Sequence, residues 1–287
     1  MDIVFLSVVH PGSRRFLGPF LDSVMSQTDS EFRVLLGLDG VRQSDIGKMP
    51  QSSRVEFIDV TGMTIAQNRF HLIDNARQRG FHVGVMGDSD DLFSPNRVQV
   101  IRSQLAEVGA AIVVTELMPF QKTAEFSGTG RIGRRLSSGH APHPLLCNYF
   151  GFSNTAFTLE SFRMPPLPPE ELLPVDWYFF LHLLLDGLPV RVATDAVTAY
   201  RQHAGNTVGL TETAGPSPEA VVRQRDLIYS ALSDRLKGVA ETLVAANRAA
   251  TDRDSDTVDA LWWETPLMEV DAGLLPRLPV IQNLACQ

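Results

Sequence analysis

Three carboxylates stand together in the segment Gly87-Asp88-Ser89-Asp90-Asp91, directly after the apolar run His82–Met86. Ionised side chains are too costly to bury without partners, so this segment needs solvent, a cation or hydrogen-bond donors. The apolar run is typical of a buried strand, and open α/β sheets bind ligands beyond the carboxyl ends of their strands. Two interpretations follow. The carboxylates hold a divalent cation that in turn holds a phosphorylated substrate, or they form an acidic turn that caps the helix starting near Pro95.

The elements that must position these carboxylates alternate between strand and helix in the N-terminal part of the chain. This alternation predicts an α/β fold with a mostly parallel sheet covered by helices. Gly80 stands where glycine commonly ends a helix, and Ser94-Pro95 where a hydroxyl cap and an early proline commonly begin one. Strands are predicted at Ile3–Val9, Phe32–Leu38, Val55–Val60, His82–Met86 and Ala110–Leu117, and helices at Phe16–Gln27, Thr64–Arg79 and Ser94 to about Glu107.

The chain changes character after the fifth strand. Residues 121–144 are rich in Gly, Ser and Arg and predict a long irregular loop, either a flap or acceptor surface near the site or a solvated disordered segment. The pattern at 217–250 predicts one long amphipathic helix. The remaining expected elements are strands at Asn154–Leu159, Val190–Thr194 and Val197–Tyr200, a helix at Asp176–Leu185, a linker at Asp252–Asp259, and a tail with Trp262-Trp263 that packs on the body or on a partner.

Composition narrows the function classes. Of the 287 residues, 44% are hydrophobic, which is enough for a sizeable core. The net charge of -8 argues against a nucleic-acid binder, which would need a basic surface. Cys147 and Cys286 form no zinc or disulfide pattern, which suits a reducing cytoplasm. No signal peptide or membrane-spanning run is apparent. We expect a cytoplasmic protein, and peripheral contact with the inner face of a membrane is compatible with the sequence.

An ordered set of motifs in this chain resembles the inverting family 2 glycosyltransferases. The motifs are Asp39 after the second strand, Ala66-Gln67-Asn68 at a helix start, Asp88-Ser89-Asp90-Asp91, Val175-Asp176-Trp177, and the segment from Tyr200 to Asn206. The resemblance covers residues 3–210 and implies the GT-A fold, a Rossmann-like nucleotide-binding sheet flanked by helices. It predicts a catalytic domain at 1–210. The rest of the chain, 211–287, resembles no assigned part of the family, and its residue pattern predicts a mainly helical C-terminal extension.

The resemblance also implies roles for individual residues. Asp39 corresponds to the carboxylate that accepts a hydrogen bond from uracil; a plain Asp-Gly turn is the alternative. Asp88 contacts the ribose or the metal, and Asp90 ligates Mn²⁺ or Mg²⁺. His203 completes the metal shell or merely packs against the loop, and an imidazole ligand suits Mn²⁺ better. The full donor-binding set is Val9, His10, Pro11, Asp39, Gln67, Asp88 and Ser89, and the metal set is Asp88, Asp90 and His203.

Asp176 takes the place of the family's catalytic base, which removes the acceptor hydroxyl's proton on the face opposite the leaving group. Its alternative role is to cap the helix that begins there. The chain departs from the family at Val175, where an acidic residue is usual, at Gln67, where arginine is common, and at His10 and Pro11 after the first strand. These departures concern donor identity more than fold.

The resulting prediction is a metal-dependent inverting enzyme that moves a sugar from a nucleotide-sugar, expected to be a UDP-sugar, to a hydroxyl of a saccharide or lipid-linked glycan. Enzymes of this kind often build bacterial surface polysaccharide. The alternatives are a sugar nucleotidyltransferase, which would need a Gly-rich phosphate loop that Ser7–Arg15 does not supply, and a non-catalytic binding module. No nucleic-acid partner is expected, and the C-terminal helix could form a homo-oligomer.

Overall fold

The computed structural model describes residues 1–46, 54–107, 110–128, 130–137, 143–203, 218–251, 270–278 and 282–283. Within these ranges a nine-stranded mixed sheet is flanked by helices, with strand order β3-β2-β1-β4-β7-β6-β8-β5 and β9 beside β8. The strands are β1 (Ile3–Val9), β2 (Phe32–Leu38), β3 (Val55–Asp59), β4 (Val83–Met86), β5 (Leu92–Phe93), β6 (Ile112–Phe120), β7 (Thr155–Thr158), β8 (Val190–Arg201) and β9 (Gln282–Asn283).

The helices cover both faces of this sheet. They are α1 (Leu17–Met25), α2 (Ile65–Gln78), α3 (Arg97–Ala106), α4 (Arg131–Ser137), α5 (Val175–Leu185), α6 (Pro218–Ala231), α7 (Ser233–Leu236) and α8 (Val239–Thr251). Short 3₁₀ turns lie at Pro11–Phe16, Gln43–Ile46, Phe152–Asn154 and Ala272–Leu274. The described residues therefore have the α/β architecture that the alternating pattern predicts.

The N-terminal half of the sheet is parallel and sets one edge for ligand binding. β1 pairs in parallel with β2 and β4, and β2 pairs in parallel with β3. All residues of β1 are buried, as expected for a strand covered on both faces. Because the carboxyl ends of parallel strands meet at one edge, the residues that follow β1, β2 and β4 are neighbours there.

The sheet is mostly parallel, as expected, but two of its strands run in the opposite direction. β7 runs antiparallel to both β4 and β6, and β5 runs antiparallel to β8. The two short strands expected at 190–200 are one strand, β8, which pairs in parallel with β6 and has an irregularity opposite Thr115 and Glu116. A bulge of this kind lets a strand continue while its register shifts, so the pattern breaks without the strand ending.

Gly87 ends β4 where no side chain would fit. A Cβ atom built on Gly87 would lie 2.5 Å from Phe5 Cζ and 2.6 Å from Phe93 Cζ, closer than real contacts allow. These aromatic rings pack edge to face with centroids 5.2 Å apart, and they are fully buried. The glycine therefore lets the backbone cross this aromatic contact and deliver the acidic segment to the sheet edge.

Two of the predicted helix starts have different outcomes. α2 starts as predicted, with Thr64 and Gln67 forming a reciprocal capping box, and Gly80 follows its end with φ of +79°. α3 starts later than predicted: Asn96 precedes its first residue, and Pro95 lies outside the helix. The Ser94 hydroxyl instead donates to Asn96 Oδ1 at 2.8 Å and accepts from the N–H of Val197 at 2.9 Å, so it joins the turn to β8.

The C-terminal segment is not the single helix that its periodicity predicts. The helix breaks after Ala231, and Lys237 and Gly238 adopt φ of +46° and +90°, a left-handed turn that ends α7. Residues of these helices, including Ile228, Tyr229 and Leu243, belong to the same buried cluster as the core of α5. The predicted boundary at 210, the predicted 252–259 linker and Trp262-Trp263 lie outside the described residues.

The Gly-, Ser- and Arg-rich segment contains a helix where a loop was predicted. Glu116 on β6 is fully buried, and its carboxylate accepts the N–H groups of Ile132 and Gly133 at 2.8 and 2.9 Å. A carboxylate that accepts the first N–H groups of a helix stabilises its start, which explains α4 despite the glycines. Cys147 is buried. In the described part of the chain, no helix is long and apolar enough to cross a bilayer.

Candidate active site

A cavity of about 520 Å³ opens at the carboxyl edge of β1, β2 and β4. Its walls come from the ends of these strands, the first turns of α2 and α5, and the segment 148–154. Ile65 and Leu173, both substantially exposed, stand at its surface. The polar lining consists of His10, Asp39, Asn68, Arg69, Asp88, Ser89, Asp90, Asn148, Tyr149, Ser153, Asn154, Asp176 and Tyr200. The predicted acidic segment and the predicted base therefore face one space.

The three carboxylates of the acidic segment have different partners. Asp88 forms an ion pair with Arg69 of α2. Asp90 Oδ2 lies 2.9 Å from His203 Nε2, just beyond β8. Asp91 is fully buried and accepts hydrogen bonds from the Ser153 hydroxyl and from the N–H of Arg201. Asp91 therefore braces the end of β8 and neither faces the cavity nor caps α3.

A buried arginine lies beneath these carboxylates. Arg97 is fully buried and donates to the carbonyl oxygens of Met86 at 2.8 Å and Ser153 at 2.9 Å. Burial lowers the pKa of Arg97 to about 9, so the guanidinium keeps its charge at neutral pH. Its positive charge offsets part of the cost of packing Asp91 in the interior. This residue ties the end of β4 to the segment before β7.

Burial also changes the carboxyl groups themselves. It raises the pKa of Asp88, an effect that Arg69 opposes and Asp90 adds to. Burial, with the nearby Asp90 and Asp88, raises the pKa of Asp91 well above its ordinary value. Like charges that share a small space resist joint ionisation, so a cation bound here would favour the ionised forms.

Asp176 is placed in the first turn of α5 with its carboxyl group in the cavity wall. Its Oδ1 accepts the N–H of Trp177 at 2.6 Å, and Asn148 Nδ2 lies 3.5 Å away. Burial, with a contribution from Asp88, raises the pKa of Asp176 to about 7. A carboxyl group with a pKa near the working pH can accept a proton and release it again, as a general base must. Asp176 is not the N-cap of α5, since the helix begins at Val175 after Pro174, but its contact with the Trp177 N–H still fixes the carboxylate.

The predicted metal set is assembled only in part. Asp90 and His203 meet, but Asp88 is turned to Arg69. In the described ranges, no three His, Cys, Asp or Glu side chains form a group that could hold a metal ion. One carboxylate and one imidazole still fit a divalent cation whose other ligands come from substrate phosphates, since Mg²⁺ and similar ions are commonly bound in that way.

Comparisons with known proteins identify the fold. No protein-family model matches the sequence, and no curated protein matches it. S. aureus TarS 1-349 in complex with UDP-GlcNAc superimposes with a TM-score of 0.57 at 12% identity, covering 86% of this chain and 72% of that one. The mannosyltransferase PcManGT from Pyrobaculum calidifontis in complex with GDP-Man and Mn²⁺ gives 0.53 at 12% identity, with 88% and 76% covered. GalNAc-T7 with UDP, GalNAc and Mn²⁺ gives 0.58 at 8% identity, with 91% and 52% covered.

The chain has the GT-A fold. The fold class implied by the sequence motifs is confirmed, although such low identities establish the fold alone. The edge that carries the acidic segment in this GT-A sheet is the edge where the cavity opens.

On this GT-A scaffold, the predicted donor residues are not all in the cavity wall. Gln67 is exposed, and its amide oxygen accepts the N–H of Thr64 at 2.8 Å, so it caps α2. Val9, the last residue of β1, packs in the core, and Val8 lines the cavity instead. Gln67 and Val9 were predicted to bind the donor, but neither of them is among the residues that line the cavity. The capping role of Gln67 was readable from the T-x-x-Q pattern at the helix start.

The other predicted donor residues do line the cavity. His10 and Pro11 follow β1, and Asp39 follows β2 with its Oδ2 3.4 Å from Asn68 Nδ2. Ser89 is buried, and its hydroxyl donates to the carbonyl of Val8 at 2.7 Å, which ties the acidic segment to β1. Ser89 thus holds the backbone in place while its neighbours face the ligand space.

Arg69 is the functional residue that the sequence interpretation missed. It lies on the same helical face as Ile65 and Asn68, at the i, i+3 and i+4 spacing, and all three line the cavity. Arg69 Nη1 and Asn68 Oδ1 are buried and have no hydrogen-bond partner among the described residues. Unpaired polar atoms in a cavity wall are costly, which indicates a ligand for them.

Asp176 should also affect stability, with a defined pH dependence. Its folded pKa of about 7 exceeds its ordinary value of 3.8, so the wild-type protein loses stability as pH rises between these values. Asp176→Asn cannot ionise, and we expect its free energy of unfolding to exceed that of wild type above pH 7 by a few kcal/mol, on the order of 4. Urea unfolding at pH 4 and pH 8 measures this. If Asp176→Asn raised the free energy of unfolding by the same amount at both pH values, the stability effect would not come from the ionisation of Asp176.

Proposed function

We propose that this protein is a metal-dependent inverting glycosyltransferase that moves a sugar from a nucleotide-sugar to an acceptor hydroxyl. The observation that carries the proposal is the placement of Asp176, with its raised pKa, in the same cavity as Asp39 and the acidic segment of a GT-A fold. A general base and a nucleotide site within one cavity are the parts that direct displacement at a sugar carbon requires.

The donor nucleotide is assigned to the wall formed by β1, β2 and α2. Asp39, fixed beside Asn68, is suited to accept a hydrogen bond from the base. Arg69 is the cation nearest Asp88, and its guanidinium is suited to a diphosphate because it presents several donors in one plane. TarS and PcManGT, which share the fold, were crystallised with UDP-GlcNAc and with GDP-Man and Mn²⁺. A nucleoside diphosphate-sugar donor follows, with a UDP-sugar preferred because Asp39 suits uracil.

Asp90 and His203 are assigned to a divalent cation, Mn²⁺ or Mg²⁺, with diphosphate oxygens as further ligands. Such an ion would neutralise charge on the leaving nucleoside diphosphate. The mixed oxygen and nitrogen donors favour Mn²⁺ over Mg²⁺. Asp88, which pairs with Arg69, is then assigned either to orient that arginine toward the donor or to contact the ribose of the donor.

The chemical step assigned to the protein's own residues is proton removal by Asp176. The acceptor hydroxyl oxygen forms a bond to the anomeric carbon as the bond from that carbon to the phosphate oxygen breaks. The hydroxyl proton passes to Asp176, and the electron pair of the broken bond leaves with the nucleoside diphosphate. Asn148 and the N–H of Trp177 keep the carboxylate aimed during this step. Attack from the face opposite the diphosphate inverts the anomeric configuration.

A donor survey tests the proposal. Purified protein is incubated with UDP- and GDP-sugars and Mn²⁺, with and without simple saccharide acceptors, and the released nucleoside diphosphate is measured. We expect slow release by hydrolysis for the true donor and faster release with an acceptor. Tight nucleotide binding without turnover of any donor or acceptor would favour a binding module. Formation of a nucleotide-sugar from a nucleoside triphosphate and a sugar phosphate would favour a nucleotidyltransferase.

Arg69→Ala is expected to weaken binding of UDP by about 10- to 100-fold but binding of uridine by much less, because a guanidinium paired with phosphate is worth roughly 1.5–3 kcal/mol. Calorimetry with UDP, UMP and uridine measures the difference. Arg79→Ala is the matched control, since Arg79 lies just past the other end of α2 and pairs with Glu56. An equal loss of affinity for uridine and UDP would contradict a phosphate contact.

A further inference from the structure

We propose that Gln224 of α6 is a positioning residue that holds the wall of the cavity carrying Asp176. The inference rests on the proposed function and gives a role to the helices after residue 217, which no sequence motif explains. Gln224 is buried, at 2% exposure, and lies outside the cavity lining. It therefore acts on the site only through the segments that it contacts.

The side-chain amide of Gln224 forms hydrogen bonds with the backbone on both sides of Leu172. Its Oε1 accepts the N–H of Leu173 at 2.8 Å, and its Nε2 donates to the carbonyl of Glu171 at 3.0 Å. Leu173, Pro174, Val175 and Asp176 follow one another in the cavity wall. The amide thus holds the backbone three residues before the proposed base.

This stretch of backbone is packed on the core through Leu172 and Val175, but it has few other hydrogen bonds. The chain from Arg163 to Leu173 contains no helix or strand and is rich in proline, so it makes few backbone hydrogen bonds of its own. Among the described residues, the backbone bonds that bridge it locally are those from the Leu172 N–H to Pro169 and from the Val175 N–H to Leu173. Removal of Gln224 would leave a backbone N–H and a carbonyl without these partners, and the wall could then shift.

The same helix also holds a second segment, 145–148, which lies beside Asp176. Arg225 donates from Nη1 to the carbonyl of Leu146 at 2.9 Å, and its guanidinium lies 5.3 Å from the ring of Trp177. The hydroxyl of Tyr229 donates to the carbonyl of Leu145 at 2.8 Å. The segment so held leads to Asn148, which contacts Asp176. Side chains of α6 therefore hold both backbone segments that position the proposed base.

The test compares two buried amides in the same helical layer. Gln224→Met keeps the side-chain length and removes both hydrogen bonds to the cavity wall. Asn247→Leu is the matched control: Asn247 is fully buried on α8 and donates to Val222 and Asp226 of α6, away from the cavity. Hydrogen exchange of the peptides that cover 143–149 and 171–177 is measured for both variants, together with donor affinity and kcat.

We expect faster exchange at 171–177 in Gln224→Met only. We also expect a fall in kcat of about 10- to 100-fold with the Kd for UDP changed by less than about twofold, because small misplacement of a reacting group is that costly. Asn247→Leu should lose stability and keep kcat. Unchanged exchange in Gln224→Met, or an equal loss of kcat in the two variants, would overturn the inference. If wild-type protein transfers no sugar, the proposed function fails, and the exchange comparison still decides whether Gln224 holds this wall.

Discussion

Asp176→Asn is expected to lower kcat for sugar transfer by about 10²- to 10⁴-fold, the usual contribution of a general base. The affinity for the nucleotide-sugar should hardly change, because the donor is assigned to the opposite wall of the cavity. The variant keeps the size and the oxygen atom that accepts the N–H of Trp177. Only the capacity to take a proton is lost, so kcat falls without a matching change in donor affinity.

The pH profile gives a second readout for the same residue. Burial and Asp88 raise the pKa of Asp176 to about 7, while Arg69 and the N–H of Trp177 oppose the shift. A base acts in its ionised form, so wild-type kcat should rise as pH increases through about 7 and then level off. Residual activity in Asp176→Asn should lack this rise.

The matched control for this prediction is Asp186→Asn at the other end of α5, where Asp186 pairs with Arg235 away from the cavity. It should transfer sugar at nearly the wild-type rate. A wild-type kcat in Asp176→Asn, or a product that retains the anomeric configuration of the donor, would rule out Asp176 as the base of an inverting reaction.

Local patterns in the sequence predict local structure well and long-range pairing poorly. The buried runs of β1 and β2 and the capped α2 follow from periodicity and turn chemistry that act within a few residues. The antiparallel insertion of β7 between β4 and β6 joins segments far apart in the chain, which alternation cannot specify. Gly238 is a typical residue just past a helix end, as it is after α7. The apolar periodicity continues on both sides of it, however, and therefore predicted one uninterrupted helix.

The same distinction explains which site residues could be found. Asp88 and Asp90 stand at a strand end and Asp176 at a helix start, and the resemblance to a known family selected them among other charged residues in such positions. Arg69 and Gln67 are separated by one helical residue, and only the direction of the helix decides which faces the cavity. Arg97 and Gln224 support the site from beneath and behind, and nothing in their local sequence marks them for that role.

The charges in the cavity argue for a cation when a donor is bound. Asp39, Asp88, Asp90 and Asp176 all line the space, and Arg69 is the cationic side chain in its described lining. A diphosphate would enter among carboxylates, and that repulsion is costly in a partly buried site. A divalent ion held by Asp90 and His203 removes this conflict, which is why nucleotide binding should depend on metal.

Asp90→Ala is therefore expected to abolish the metal-dependent part of UDP binding. Wild-type affinity should fall by about 100-fold or more on removal of Mn²⁺ with EDTA, since a bridging cation is worth several kcal/mol and each 1.4 kcal/mol is about tenfold. In Asp90→Ala, calorimetry should give the same weak affinity with or without Mn²⁺.

His203→Ala should bind UDP more weakly with Mn²⁺ than wild type does and lose the preference for Mn²⁺ over Mg²⁺, because only oxygen ligands remain. Asp195→Ala, at an exposed carboxylate within β8, is the control and should respond to Mn²⁺ as wild type does. If Mn²⁺ raised the UDP affinity of Asp90→Ala as much as it raises that of wild type, Asp90 would not be a metal ligand. The contact between Asp90 and His203 would then have no role in metal binding.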